Sequence, residues 1–192
     1  STQGYSSAAS DVYKRQLIAK TLGEEDKGNL MIAKMDDKLA EIKEKVDNIK
    51  PEERKKLVLI SLMTSYGGKG CTFDDICQYA GVINGVSDAG LHNGQLLTKE
   101  MLVAINPDLL IMPVYNDHNT FDIEKYNKEF LDDPALQTLN AVKEKRFFYP
   151  REGYIYNSSQ DIVFGVQEVA RAAYGELFSQ PENCHISVAE IN

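Results

Sequence analysis

Five side chains of types that bind small molecules occur in two short stretches of the sequence. Tyr66 and Lys69 lie in a glycine-rich run. Arg151, Tyr154 and Tyr156 follow a later aromatic run. Tyrosine offers a broad amphipathic ring and a phenol, and Arg and Lys offer fixed donors to carboxylates or catecholates. The set therefore predicts contacts to a bulky anionic or aromatic ligand, unless the two later tyrosines only cover the end of a sheet.

His118 is a further candidate contact, because it follows Asp117 in a polar loop. An imidazole beside a carboxylate can ligate a metal ion, but two adjacent residues supply only half of a site. A solvated loop pair is the simpler interpretation. We therefore predict no metal site and keep His118 as a ligand contact.

Signals for catalysis are weak. The run from Gly67 to Gly70 suggests a phosphate-binding loop, since backbone amides at a helix start attract anions. It lacks the GxxxxGK[ST] spacing of such loops. Cys71 stands at a loop–helix junction without an evident base, and Cys77 lies on an apolar helix face. We predict no enzymatic activity and no cofactor. The alternative is a self-contained small α/β nucleotide-binding domain or enzyme that uses the loop from Tyr66 to Cys71.

Composition limits the class of protein. Of the 192 residues 43% are hydrophobic and 26% are charged, which is typical of soluble globular chains. The net charge of −8 disfavours attraction to nucleic acid or to an anionic membrane. No apolar run approaches the roughly 18 residues of a membrane span. The three cysteines form no CxxC pair, so neither a zinc ribbon nor a disulfide framework is indicated.

The first sixteen residues are set apart from the fold. Residues 6–16 look like the in-frame translation of a sequencing-library adapter, and a natural disordered terminus is the alternative. We therefore expect 1–16 to be non-native and disordered. On this interpretation the coding sequence was cut at Leu17.

Helices and strands alternate along the rest of the chain. The predicted elements, in order, are a helical remnant at 17–22, a long helix with an apolar stripe over 32–49, a strand at 57–63, a helix with a capping-box-like start at Thr72, a short strand at 82–86, a helix capped by Thr98, a strand at 109–115, a helix at 123–130, a strand at 145–149 and a last helix capped by Ser158 or Ser159. This order predicts a three-layer α/β/α lobe with a mostly parallel central sheet. The loops 64–71, 116–120 and 151–157 leave strand carboxyl ends, so we expect them on one edge, where ligands bind.

Several local motifs occur in a fixed order. They are Gly23-Glu-Glu before the long helix, Thr72-Phe-Asp-Asp-Ile with Ala80-Gly81 and Asn84, Leu97-Thr-Lys-Glu-Met-Leu, Asn106-Pro-Asp-Leu-Leu-Ile, Asp133-Pro-Ala-Leu-Gln, Ala141-Val-Lys-Glu-Lys-Arg-Phe-Phe and the Ser-Ser loop before the last helix. Their order and spacing resemble the C-terminal lobe of the iron-complex solute-binding proteins of ABC importers. One departure is Gly81-Val-Ile-Asn, where that family more often has a second glycine and places the Asn one residue sooner.

The resemblance implies an architecture of two α/β lobes joined by a rigid helix. Residues 17–178 would then be the C-terminal lobe, with 17–22 as the end of the interlobe helix, and the N-terminal lobe would be missing from this chain. Residues 179–192 are left as a tail that we expect to be flexible. The resemblance also implies an extracytoplasmic receptor, either periplasmic or a membrane-anchored lipoprotein.

The resemblance further implies a ligand and a partner. Receptors of this family carry ferric siderophores, haem or cobalamin, and the basic and aromatic loops favour a ferric siderophore. Haem with a tyrosine iron ligand stays open, and no nucleic-acid partner is expected. The Ser/Thr-x-Glu-x-Leu segment of the family, which docks on permease arginines, matches Glu100 here. A favourable charge in the first turn of a helix is a compatible interpretation of Glu100.

Overall fold

A computed structural model describes residues 16–114, 121–156 and 159–189. Its four strands are β1 (Lys56–Leu59), β2 (Ile83–Asn84), β3 (Leu109–Ile111) and β4 (Phe147–Phe148). They form one sheet in the order β2-β1-β3-β4, and every pairing is parallel. The predicted mostly parallel sheet is confirmed.

Eight α-helical segments surround this sheet in the described part of the chain after residue 23. They are α1 (Glu25–Val46), α2 (Thr72–Tyr79), α3 (Gly85–Asp88), α4 (Lys99–Ile105), α5 (Ile123–Leu131), α6 (Asn140–Lys143), α7 (Glu152–Ile155) and α8 (Ile162–Tyr174). Short 3₁₀ turns occur at Pro51–Glu53, Pro134–Leu136 and Gly175–Phe178.

Strand β1 is buried on both faces. Leu57 and Leu59 pack in a cluster with side chains of α1, α2 and α8. Val58 and Ile60 pack in a second cluster with side chains of α3, α4 and α6. Alternate residues of a strand point to opposite faces, so each face is covered by its own helix layer. The three-layer α/β/α fold is confirmed.

The strands are shorter than the apolar runs that predicted them. β1 stops at Leu59, and the amide of Ile60 still donates to Ile111 at 2.8 Å before the chain leaves the sheet. Beyond it Met63 is 68% exposed. The run after β3 contains Pro113, which has no N–H for a ladder bond. The apolar runs therefore overestimate both strands at their carboxyl ends, although Pro113 in the second run already predicts an end or an edge there.

The predicted helix caps have mixed outcomes. Thr98 caps α4 as expected, because its hydroxyl accepts from the Met101 amide at 3.2 Å. Thr72 is itself the first residue of α2, and Cys71 is the N-cap residue without a side-chain cap bond. The last helix begins at Ile162. Ser159 accepts from the Asp161 amide at 3.2 Å in the turn before it, and Ser158 lies outside the described residues.

The segment after β4 is partly helical, although the sequence predicted a loop over 151–157. It contains the single turn α7, which packs against α2 and α8. Its Ile155 is fully buried in the cluster that contains Leu57. Burial of this apolar residue explains why the segment folds onto the lobe.

The segment 179–189 packs on the lobe and does not extend from it as the flexible tail expected from the sequence. The Tyr154 hydroxyl donates to the Cys184 carbonyl at 2.5 Å. The Ile186 amide donates to Asp161 at 2.9 Å, and the Ile186 side chain is buried against α1 and α8. The end of the chain therefore joins the first and last helices.

The start of the described chain is helical over 16–22, as predicted for 17–22. Leu17, Ile18 and Leu22 on this segment are exposed. The predicted non-native segment lies outside the described residues except for Gln16. No helix among the described residues is both long and apolar enough to cross a membrane.

Candidate functional site

Four loops leave the carboxyl ends of the strands at one edge of the sheet. Residues 60–71 follow β1 and contain the predicted loop 64–71, and residues 149–156 follow β4 and contain the described part of the predicted loop 151–157. Residues 112–114 follow β3, and the predicted loop 116–120 beyond them lies outside the described residues. Residues 89–97, which follow β2 and the short helix α3, form the fourth loop. The carboxyl edge of a parallel sheet is the usual place for a ligand.

Loop 89–97 pairs closely with the glycine-rich loop. The Lys69 amide donates to the Leu91 carbonyl at 2.9 Å, and the Asn93 amide donates to the Lys69 carbonyl at 3.0 Å. The Leu97 amide donates to the Thr64 carbonyl at 3.0 Å. We call residues 64–69 and 91–97 together the paired-loop ridge. Sequence reasoning did not include residues 91–97 in the candidate site. The predicted strand at 82–86 was the signal that could have indicated them, because the chain after it leaves the same edge of a parallel sheet.

Gly68 lies where the two loops approach each other most closely. A Cβ atom at Gly68 would lie 2.7 Å from the Leu91 carbonyl oxygen and 2.7 Å from the His92 carbonyl carbon. Such a contact excludes any larger residue without a backbone shift. The glycine therefore serves the approach of one backbone to another.

Three consecutive backbone amides of the same loop are not free to bind a phosphate. The Lys69 amide is bonded to Leu91, the Gly70 amide donates to Asp74 at 3.1 Å, and the Cys71 amide donates to the Gly68 carbonyl at 3.3 Å. A phosphate-binding loop turns such amides toward the ligand. This geometry counts against the nucleotide alternative.

Tyr66 is half-buried and packs against the cluster that contains Leu57. Burial raises the pKa of its phenol to about 12, and the nearby Cys71 thiol adds to this effect. The phenol is therefore neutral near pH 7.

Arg151 and Tyr154 form a local pair in which only the arginine is accessible. The guanidinium lies 5.3 Å from the Tyr154 ring centre, and its Nη1 donates to the Tyr154 hydroxyl at 3.3 Å. This bond, with the charge of Glu168, raises the pKa of Arg151. Tyr154 is only 5% exposed and its hydroxyl is bonded to Cys184, so burial removes it from the candidate ligand contacts.

The remaining predicted contacts differ in their positions. Lys69 is exposed on the ridge, and no carboxylate of the described residues lies within ion-pair distance of its amine. Tyr156 is half-buried against the core. His118 lies outside the described residues. The structure thus brings Tyr66, Lys69 and Arg151 to one edge of the sheet.

A hollow of about 520 Å³ opens at the same edge, between α5 and the ends of β3 and β4. Its lining residues are Pro113, Val114, Ile123, Glu124, Asn127, Lys128, Leu131, Asp132 and Tyr149. Tyr149 is half-exposed. The side-chain amide of Asn127 donates a hydrogen bond to the Pro113 carbonyl at 2.9 Å, which fixes its position. The volume is within the range of small-molecule sites. Sequence reasoning missed this hollow, although Tyr149 is the last residue of a predicted strand.

Glu100 lies exposed in the first turn of α4. Its own backbone N–H and the Thr98 hydroxyl lower the pKa of its carboxyl group. The carboxylate is therefore charged and accessible at neutral pH. Among the described residues, no group of three or more His, Cys, Asp or Glu side chains is arranged to hold a metal ion.

The sequence matches the periplasmic binding protein family over residues 5–152. The chain belongs to this family. Periplasmic binding proteins are extracytoplasmic solute-binding components of ABC transporters. The family inferred from the sequence motifs is thereby confirmed.

Solved periplasmic binding proteins share the fold. The haem-binding protein RhuT from Roseiflexus sp. RS-1 in apo form has a TM-score of 0.71 and 19% identity, over 85% of this chain and 61% of its own. A protein of the Fe3+-hydroxamate transport system of Saccharomonospora viridis has a TM-score of 0.65 and 16% identity, over 85% and 55%. MolA from Haemophilus influenzae, bound to molybdate, has a TM-score of 0.72 and 16% identity, over 87% and 50%.

This periplasmic binding protein therefore spans between about half and two thirds of the length of these relatives. No curated protein matches its sequence.

Proposed function

We propose that this chain is the C-terminal lobe of an ABC-importer receptor for an iron complex, with a ferric siderophore as the preferred ligand. The observation that carries the proposal is the carboxyl edge of the sheet. There Lys69 and Arg151 supply positive charge and Tyr66 supplies a ring, and at the same edge Tyr149 lines a hollow of ligand size. In a chain of net charge −8, these cations favour an anionic ligand.

The descriptions of the relatives support an anionic or iron-containing ligand but do not favour one such ligand over another. Their descriptions name haem, an Fe3+-hydroxamate transport system and molybdate. Catecholate or carboxylate arms of a siderophore would pair with Lys69 and Arg151. Haem and cobalamin are the other ligands to be tested.

An N-terminal lobe would complete the binding cleft in the whole receptor. The exposed Leu17, Ile18 and Leu22 support this idea, since a second lobe packed beside the helical segment 16–22 would cover them. A receptor of this kind is extracytoplasmic, and we propose either a periplasmic form or a lipoprotein anchored to the membrane.

Glu100 is proposed to dock on a basic surface of the permease. Its accessible, charged carboxylate supports this role. Docking through an exposed charge gives orientation and partner choice more than raw affinity. The role is tested by the uptake assay described in the Discussion.

The binding proposal is tested by calorimetric titration of the purified chain with ferric enterobactin, ferrichrome, haemin, cyanocobalamin, molybdate and ATP. We expect weak binding of the anionic ferric catecholate, because one lobe supplies only half of the cleft wall. The Lys69→Ala variant should weaken it, and Lys43→Ala, at an exposed position of α1, should not. Binding of ATP alone, lost in Lys69→Ala, would instead establish the nucleotide alternative.

A further inference from the structure

A buried polar pair lies at the base of the paired-loop ridge. Asp74 and Asn84 are 7% and 6% exposed, and the Asn84 amide donates to Asp74 Oδ1 at 2.9 Å. Asp74 is in the first turn of α2, and Asn84 is the residue that caps α3. The pair thus connects the helices that follow β1 and β2.

Each member of the pair also holds the glycine-rich loop. Asp74 Oδ2 accepts from the Gly70 amide at 3.1 Å, and Asn84 Nδ2 donates to the Gly67 carbonyl at 2.9 Å. These bonds fasten both ends of the four-residue turn from Gly67 to Gly70. A turn bonded at both ends and buried at its base has few other conformations.

Asn84 also fixes the start of the other loop. Its Oδ1 accepts from the Val86 amide at 3.1 Å and from the Ser87 amide at 3.4 Å. The Leu91 amide in turn donates to the Val86 carbonyl at 3.1 Å. One side chain therefore anchors both halves of the paired-loop ridge.

The ridge places Lys69 and His92 side by side. The two residues form a parallel bridge, in which neighbouring backbones lie about 4.8 Å apart. Both residues are exposed. In the described part of the chain, neither is within ion-pair distance of a carboxylate. Such a pair offers two adjacent donors to one anionic group, from a loop that the buried pair keeps rigid.

We propose that Asp74 and Asn84 are positioning residues that fix the paired-loop ridge, and that His92 joins Lys69 as a contact to the anionic arms of the bound complex. The proposal rests on the proposed function for the identity of the ligand. It goes beyond that function by assigning a contact residue and the interior pair that holds it. Rigidity of a loop before binding raises affinity by lowering the ordering cost.

The test compares Asp74→Asn, Asn84→Asp and the double exchange by amide hydrogen exchange of the full chain. Asp74→Asn sets two side-chain amides against each other, and Asn84→Asp sets two carboxylates against each other. We therefore expect the amide exchange rates of Lys69, Asn93 and Leu97 to rise at least about tenfold. Amides of the sheet should stay protected. The double exchange restores the donor–acceptor pairing between positions 74 and 84 but leaves the Gly67 carbonyl without its donor, so it should recover only part of the protection.

Gln167→Leu is the matched control. Gln167 is a buried amide whose Nε2 donates to the Phe178 and Ser179 carbonyls at 3.2 and 2.8 Å. This variant should lower the melting temperature and leave exchange in the ridge unchanged. Uniformly faster exchange in the Asp74 and Asn84 variants, or an unaffected ridge, would overturn the positioning role.

Binding of ferric enterobactin provides the second readout. Lys69→Met and His92→Asn should each weaken binding about tenfold. They should not change amide exchange in the ridge, because each removes a contact to the ligand and leaves the hydrogen bonds of Asp74 and Asn84 in place. Unchanged affinity of His92→Asn would overturn its assignment. If the unaltered chain binds no complex in the titration series, the proposed function and the His92 contact fail, while the exchange data still decide the positioning role.

Discussion

The side-chain amide of Asn84 donates to the carboxylate of Asp74 at 2.9 Å in the interior of the lobe. A buried carboxylate without donors would be costly, and here it accepts from Asn84 and from the Gly70 amide. The cost of burying these polar groups is thus offset by bonds that define a surface loop. The glycine-rich loop, which lies at the candidate ligand-binding edge of the sheet, is therefore held in place by buried side chains.

Gly68→Ala should destabilise the lobe. The added Cβ would lie 2.7 Å from backbone atoms of Leu91 and His92, which cannot move aside as a flexible side chain could. Overpacking of this kind costs about 1–3 kcal/mol of the free energy of unfolding. Urea denaturation followed by circular dichroism measures the change.

Gly153→Ala is the matched control for that experiment. A Cβ at Gly153 meets no atom within 4 Å, and the residue lies in the helical turn α7. It should be neutral or stabilise by about 0.4–1 kcal/mol. Equal effects of the two substitutions would show that Gly68 does not serve a close backbone approach.

Ile186→Ala should destabilise the protein although the residue is near the end of the chain. Ile186 is 6% exposed and packs with Met35 and Val163. Truncation of a buried isoleucine costs about 2–5 kcal/mol. Leu177→Ala, at an exposed position, should change the free energy of unfolding by less than about 0.5 kcal/mol. Similar small effects at both positions would mean that segment 179–189 is not docked in solution.

Tyr66 should make stability depend on pH in the alkaline range. Its pKa is about 12 in the folded protein and about 10 in the unfolded chain, so the folded state retains the proton longer. The contribution is fully present below pH 10 and is lost as the pH rises toward 12. The free energy of unfolding of Tyr66→Phe should therefore fall less over this range than that of the unaltered protein. Parallel curves would contradict the burial of this phenol.

Glu100→Arg, made in a receptor that contains both lobes, should abolish ABC-dependent uptake and leave ligand affinity unchanged. Reversal of an exposed charge disturbs docking on a basic partner more than it disturbs the fold. The control is Glu52→Arg, which changes an exposed glutamate before β1, away from the carboxyl edge. Radiolabelled iron uptake and calorimetry measure the two properties. Unchanged uptake in Glu100→Arg would contradict the docking role.

Sequence patterns were sufficient for the layers of the fold. Leu57, Val58, Leu59 and Ile60 form a continuous apolar run, and such a run in a βα alternation has to be buried on both faces. Thr98 could be identified as a cap because hydroxyl caps depend on near neighbours in the chain. Local signals therefore predicted the succession of helices and strands along the chain, but not the residues at which the strands end.

Long-range contacts account for the features that sequence reasoning missed. Tyr154 is buried where its ring packs against Phe164 and its hydroxyl donates to the Cys184 carbonyl, thirty residues later in the chain. The pairing of Lys69 with His92 joins two loops whose relation depends on the order of the strands. Neither contact leaves a periodic pattern in the sequence, so the arrangement of the candidate site required the structure.

The most direct test of the ligand wall is paramagnetic broadening of amide signals in ¹⁵N-labelled protein titrated with ferric enterobactin. High-spin iron broadens nearby signals even when binding is weak. We predict losses in the paired-loop ridge and at 149–156, with unaffected signals at Lys55, Asn106 and Lys145 on the opposite edge of the sheet. Broadening confined to that opposite edge, or none at saturating ligand, would contradict a binding wall at the carboxyl ends of the strands.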